Sequence, residues 1–177
     1  QRRHERAEHP ARLRLLTAQL RQRAPLSLDK VCFCKTIDGF GQYVPQPLEH
    51  EFRAGSEGQP GERMQVYVEV RNFSSAARQD RYETRLSSSL AILDEQRQVV
   101  ATMTPETSID VSQTPRQDYF LNFQFHVPAR LPPGHYTLRV TVKDVTPHDE
   151  ADKEPRVAKQ SLAFKVAVPK LHPAAGE

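Results

Sequence analysis

The sequence predicts an all-β fold, an antiparallel β-sandwich of about seven strands. Three observations carry this prediction. After residue 28 apolar and polar residues alternate with a period of two, as in "MQVYVEV" and "HYTLRVTV", the pattern of strands with one covered face. Clusters of Pro, Gly, Asn and Asp separate these runs at short intervals, which marks turns between strands rather than crossover helices. Pro outnumbers Gly, 14 to 7 in 177 residues, a balance that favours irregular connections and strand edges over long helices.

Residues 1–27 stand apart. In "HPARLRLLTAQLRQR", Leu13, Leu16 and Leu20 fall at i, i+3 and i+7, one narrow apolar stripe on a helix. Pro10 suits its first turn and Pro25 ends it. A helix this short needs a neighbour to pack on. Residues 1–30 hold eight Lys/Arg against three acids, whereas the remaining residues hold 17 against 19, so the formal +3 of the chain resides in this segment. Arg12, Arg14, Arg21 and Arg23 form a basic face that could meet nucleic acid or an anionic surface. The chain opens on Gln1, as a processed chain or fragment would, so the lack of a leader carries no information. No apolar run is long enough to span a membrane.

The sandwich is expected over residues 28–168, followed by a disordered tail, 169–177. "KVCFCKTI" is the first strand, with Val31 and Phe33 on one face and Cys32 and Cys34 on the other. Apolar residues on both faces imply cover on both sides, with the Leu13/Leu16/Leu20 stripe as one candidate. Residues 38–61 read as a long irregular connection ending in the turn "GQPGE". Met64, Val66, Val68 and Val70 then alternate with polar positions in a half-buried strand. "NFSSAARQD" turns into the long strand "RYETRLSSSLAILD", and "DEQRQ" is a hairpin loop into "VVATMT". "TPETSIDVSQTPRQ" reads as a second irregular crossing. Tyr119, Leu121, Phe123, Phe125 and Val127 share one face of the next strand.

The Pro-Pro-Gly turn of "LPPGHYTLRVTVK" follows, with Gly134 expected to supply unusual backbone angles. Tyr136, Leu138, Val140 and Val142 point inward beyond it. Tyr136 stands at the start of the penultimate strand, where a sandwich can hold a corner tyrosine hydrogen-bonded to backbone upstream. After residues 145–157 the chain closes on Leu162, Phe164 and Val166. Strand number and spacing point to an immunoglobulin- or fibronectin-III-like sandwich. The absence of Trp and of a Cys pair at immunoglobulin spacing disfavours an antibody-type domain.

The runs "FCKTIDGFGQY", "VYVEVRNF", "LSSSLAILD", "PRQDYFLNFQFHVP" and "LPPGHYTLRVTVKD" together resemble an uncharacterised family of bacterial proteins abundant in planctomycetes. These join a basic helical N-terminal part to one β-sandwich domain, and the resemblance covers residues 28–167. It implies architecture, since the family has no established activity. The 145–157 loop is expanded relative to the family.

Candidate sites are few. Cys32 and Cys34, two residues apart on a strand, suit neither a mutual disulfide nor a four-ligand zinc site and read as structural thiols. His148, Asp149, Glu150 and Asp152 in the 145–157 loop offer oxygen ligands for Ca²⁺ but lack the spacing and glycine of a chelating loop. A solvated, partner-facing loop is the reading taken. Ser87, Ser88 and Ser89 lie mid-strand without the glycine-flanked elbow a nucleophilic serine needs. Glu49 and Glu51 flank His50 in a spacing that arises often by chance. No glycine loop cradles a phosphate and no dinucleotide fingerprint is present, so no cofactor is expected. Phe40 and Tyr43, in "DGFGQY", either plug the sandwich or form a contact surface.

The expectation is a non-catalytic structural or protein-interaction module that recognises a protein partner through end loops, 38–61 and 145–157, or through a sheet edge. The alternatives are electrostatic binding through the basic segment and an accessory role beside a larger enzyme.

Overall fold

The computed structural model describes residues 24–147 and 154–168. The expected N-terminal helix, the C-terminal tail and residues 148–153 lie outside the described residues.

The described chain is all-β. Its strands are β1 (Ser27–Gly39), β2 (Gln42–Pro45), β3 (Glu51–Phe52), β4 (Arg63–Arg71), β5 (Ala76–Arg78) and β6 (Arg81–Leu93), then β7 (Val99–Thr102), β8 (Glu106–Ser112), β9 (Tyr119–His126), β10 (Gly134–Asp144) and β11 (Arg156–Val166). A smaller sheet runs β2-β1-β4-β9, and a larger one runs β3-β11-β10-β6-β5 with β7 and β8 also on β6. Leu86, Ser87 and Ser88 pair with both β8 and β10, so β8 lies on the side of β6 away from β10. β7 pairs with the same β6 residues that pair with β10, and therefore extends β8 along that outer side.

Among the described residues the strands pair antiparallel with one exception, and an isolated bridge between Gly55 and Ala129 is parallel as well. β3 lies parallel to the end of β11, Lys165 beside Glu51 and Val166 beside Phe52, so the larger sheet is mixed rather than purely antiparallel. All seven expected strands are present, and four short ones join them among the described residues. β2 and β3 lie within the connection read as irregular, β5 within the "NFSSAARQD" turn, and β8 within the second crossing. Their residues are polar or Pro-interrupted, so alternation alone did not reveal them. They form because an existing strand edge offers unpaired backbone groups.

One apolar core joins the two sheets. Met64, Val66, Val68 and Val70 of β4 and Leu86 and Ile92 of β6 are fully buried, as are Leu138, Val140 and Val142 of β10. Leu121, Phe123 and Val127 close it from the β9 side. At one end Phe33, Phe52, Phe164 and Tyr136 contact one another, with ring centroids 5.2 to 6.0 Å apart. Burial of this apolar surface is the main driving force for the fold.

The Pro-Pro-Gly turn holds the expected corner. Tyr136 Oη donates to the Pro132 carbonyl oxygen at 2.8 Å, and its ring is buried against Phe164. The backbone of the turn carries the expected unusual angles. Gly134 has a positive φ of 157°, which residues with side chains rarely adopt, and Arg130 ahead of the prolines is left-handed as well, φ 64°. Left-handed geometry enters before the prolines, which cannot adopt it.

The loop after β3 needs glycine at two close approaches. A Cβ at Gly61 would collide with the Val127 carbonyl oxygen, and one at Gly55 would sit 2.8 Å from the Gln59 carbonyl oxygen. This packing lets Val127 N–H donate to Glu62 O at 2.9 Å and Arg130 N–H donate to Gly55 O at 3.3 Å. The "GQPGE" turn is thereby fastened to the end of β9.

Candidate partner-binding surface

Three places gather polar or aromatic side chains where a ligand could reach them. The first is the outer face of the smaller sheet. Residues of β4 with odd numbers point away from the core, yet Tyr67 is fully buried. The cover comes from the β1–β2 hairpin, whose bulged pairing bends its tip over the sheet. Gly41 N–H donates to Tyr67 Oη at 2.7 Å, and that hydroxyl donates to Glu69 Oε1 at 3.0 Å.

Tyr43 stacks on Tyr67 with centroids 4.3 Å apart. Phe120 stacks on the same ring at 5.7 Å, and Phe40 meets Phe120 edge-on at 6.5 Å. The Arg71 guanidinium lies 5.3 Å from the Phe40 ring centre. Phe40 and Tyr43, both half-buried, therefore serve as a plug over Tyr67 with one edge open to solvent. The half-buried reading of β4 is corrected here. Tyr67 and Gln65 are buried too, because hairpin and sheet sandwich this strand on both faces.

Cys32 and Cys34 belong to β1 of the same hairpin, their sulfurs 3.6 Å apart. Both are free thiols. Burial, and then the neighbouring Cys32, push the Cys34 thiol up to about 12, so it stays protonated and a poor nucleophile at neutral pH. Among the described residues no group of three or more His, Cys, Asp or Glu could hold a metal ion.

The second place is the end of the sandwich where the 145–157 loop leaves β10. Asp144 is buried there and accepts from Ser74 N–H at 2.7 Å and from Thr146 N–H at 3.2 Å. Arg156 Nη2 closes the pair on Asp144 at 2.7 Å and also donates to Ser74 Oγ at 2.7 Å. Burial alone would raise the Asp144 carboxyl, but hydrogen bonds from Thr146, Arg156 and Ser74 hold it below the usual range. The Arg156 guanidinium further donates through Nη1 to Ala24 O at 3.0 Å, and Asn72 Nδ2 donates to Pro25 O at 3.0 Å. This network fastens the start of the described chain and both feet of the loop. A fully partnered ion pair of this kind is structural. His148, Asp149, Glu150 and Asp152, and Arg12, Arg14, Arg21 and Arg23, lie outside the described residues.

The third place is an open cleft of about 280 Å³ on one side of the sandwich. Ser88–Leu90 of β6, Met103, Thr104 and Glu106 around the β7–β8 link, and Asn122–Phe125 of β9 line it. Its cause is topological. β9 pairs with β4 alone, so its other edge is free among the described residues. Opposite it, β7 stops at Thr102 and β8 starts at Glu106, because Pro105 has no N–H to continue a ladder. The floor is apolar, through Leu90, Met103 and Phe123, and the rim is polar.

Ser88 is buried in this wall, and its Oγ donates to the Glu106 carbonyl oxygen at 3.3 Å rather than to a base. Ser108 Oγ and Tyr119 Oη, 2.6 Å apart, tie β8 to β9 beyond the cleft. Sequence reasoning named neither the cleft nor β8. The only signal was the "TPE" break between two apolar runs.

Among the described residues no helix is long and apolar enough to cross a membrane. Comparison with family models and with curated proteins gave no match.

Proposed function

We propose that this chain is a non-catalytic recognition module of the immunoglobulin/fibronectin-III-like type, related to the planctomycete family it resembles, and that it binds an extended segment of a protein partner along the free edge of β9. Strand order supports the fold type. β1-β4-β9 faces β11-β10-β6 with β7 and β8 on the far side of β6, and the chain passes between sheets before β3, β4, β5, β9 and β10. The corner hydrogen bond of Tyr136 supports it as well.

The observation that carries the binding mode is the cleft lined by four consecutive residues, Asn122–Phe125, of an unpaired edge. An added strand would satisfy the free backbone groups of β9, while Leu90, Met103 and Phe123 would accept alternate side chains. A non-catalytic role is supported by the cleft's chemistry. Its serines face carbonyl or solvent, and its one carboxylate, Glu106, has no histidine beside it in the lining.

Panning a displayed library of linear peptides on the full chain tests this reading. Selected peptides are expected to protect the β9 amides from hydrogen exchange. Thr104→Trp, which fills the cleft from an exposed position, should weaken them at least about tenfold, the scale of one lost anchor. Selection of no peptide, or protection confined to other strands, refutes the proposal.

A further inference from the structure

The outer faces of the two sheets differ in how their charges are held. On the smaller sheet Arg71 is paired with Asp29, Glu69 and Asp118. On the larger sheet the odd-numbered residues of β6, β10 and β11 point outward, because Leu86, Leu90, Ile92, Leu138, Val140 and Val142 between them are buried. Register places Lys159 opposite Thr141, Arg139 opposite Ser161 and Lys143 opposite Val157. Lys159 is therefore diagonal to both Arg139 and Lys143, at roughly 7–8 Å between backbones.

Among the described residues none of these three side chains has an ion-pair or hydrogen-bond partner. Their neighbours on β6 are Ser87, Ser89 and Ala91, which neutralise nothing. The nearby acids are engaged, Glu83 by Arg85 at 2.7 Å and Glu51 by Lys165. Three like charges at this spacing repel, and a negative surface would relieve that repulsion.

Apolar residues flank the cations on the same face. Val157, opposite Lys143, is 46% exposed, and Ile109 and Val111 of β8, opposite Arg85 and Glu83, are 56% and 52% exposed. The positions between them, Thr141, Ser161, Ser87, Ser89 and Ala91, carry small side chains. Among the described residues no Phe or Tyr lies beside these cations on the outward positions of β6, β10 and β11 to stack a nucleic-acid base, as single-strand binders do. A soluble polyanion would gain nothing from the valines and isoleucine, whereas a bilayer interface accepts both kinds of side chain at once.

We propose that the outer face of the larger sheet docks on an anionic lipid surface, with Arg139, Lys143 and Lys159 meeting phosphate headgroups while Val157, Ile109 and Val111 enter the interface beside them. This site is separate from the β9 cleft, and either can exist without the other.

Co-sedimentation of the full chain with phosphatidylcholine vesicles containing about one-third phosphatidylserine tests it, with pure phosphatidylcholine as the comparison. Binding is expected only to the anionic vesicles and should fall as salt rises. The triple variant Arg139→Gln/Lys143→Gln/Lys159→Gln should lower the partition coefficient roughly a hundredfold, from about 1 kcal/mol per cation. Its melting temperature should be unchanged or higher. Ile109→Ser/Val157→Ser should also weaken vesicle binding. A variant with Arg12, Arg14, Arg21 and Arg23 changed to Gln should still respond to the triple substitution. The proposal is overturned if the wild-type chain does not bind anionic vesicles, or if the triple variant binds them as the wild type does. It is equally overturned if heparin or single-stranded DNA shows the same dependence on the three cations while the Ile109/Val157 variant binds vesicles normally.

Discussion

Tyr136, Gly61 and Cys34 show how much a single residue can decide here. The Tyr136 hydroxyl is committed to Pro132 O, so Tyr136→Phe should lower stability by about 1 kcal/mol, the net value of one hydrogen bond. Urea denaturation is the measurement, with peptide binding unchanged. Gly61 touches backbone at the end of β9, and no rotamer relieves that contact. Gly61→Ala should cost about 2 kcal/mol, the usual scale of overpacking, whereas Gly58→Ala meets open space and only its left-handed backbone, φ 74°, opposes the change. The thiol pair offers a chemical reading. Cys32 is half-buried while Cys34 is buried and protonated, so Ellman's reagent should modify Cys32 first in the native chain. Simultaneous modification would show that the hairpin opens readily. The corner tyrosine could be anticipated from Pro-Pro-Gly-x-Tyr. The contact at Gly61 could not, because it depends on a strand 66 positions away.

At the scale of elements, the β1–β2 hairpin changes the reading of β4. Alternation foretold the Met64/Val66/Val68/Val70 face correctly, and Val31 and Phe33, expected on one face of β1, pair beside Val68 and Val66. The opposite face reads as polar in sequence, since Gln, Tyr and Glu occupy it. The hairpin makes it a second, smaller core by placing Tyr43 and Phe40 on Tyr67 and Phe120. Tyr43→Ala should then cost about 1–2 kcal/mol through lost ring contact and raise hydrogen exchange in β1 and β2 more than in β10 and β11. Equal exchange throughout would mean that the hairpin is not a separate layer. The N-terminal stripe, one candidate cover for β1, lies outside the described residues. Short strands such as β5 and β8 were invisible to periodicity. A strand of three to seven residues with polar ends shows its pattern only against its partner.

Across the whole molecule the Asp144–Arg156 pair connects β10, β11, Ser74 in the link between β4 and β5, and the start of the described chain. Breaking one partner of a buried pair leaves an uncompensated charge, so Arg156→Ala should destabilise by about 3 kcal/mol. The carboxyl is held below its ordinary range in the folded state. Near pH 4 the unfolded chain therefore binds more protons than the native one, and stability rises with pH there. The contribution is complete above the ordinary carboxylate range, about 4, and is lost as pH falls through the lowered native value. Asp110, lowered by its hydrogen bonds from Arg116, acts in the same direction with a smaller share because the pair is more exposed. Melting temperatures across this window should fall toward low pH, and Asp144→Asn should flatten the profile.

The sequence by itself determined the alternation, the turns and the inward faces of seven strands, because these follow from a period of two and from the backbone limits of Pro and Gly. It also determined that Tyr136 would sit beside its own turn, a contact only four residues long. Only the tertiary structure decided which edges remain free, what covers Tyr67, and where Arg139, Lys143 and Lys159 meet on one face. Each of these depends on register between strands far apart in the chain. A shift of one residue would exchange the faces, and local sequence carries no record of the partner strand.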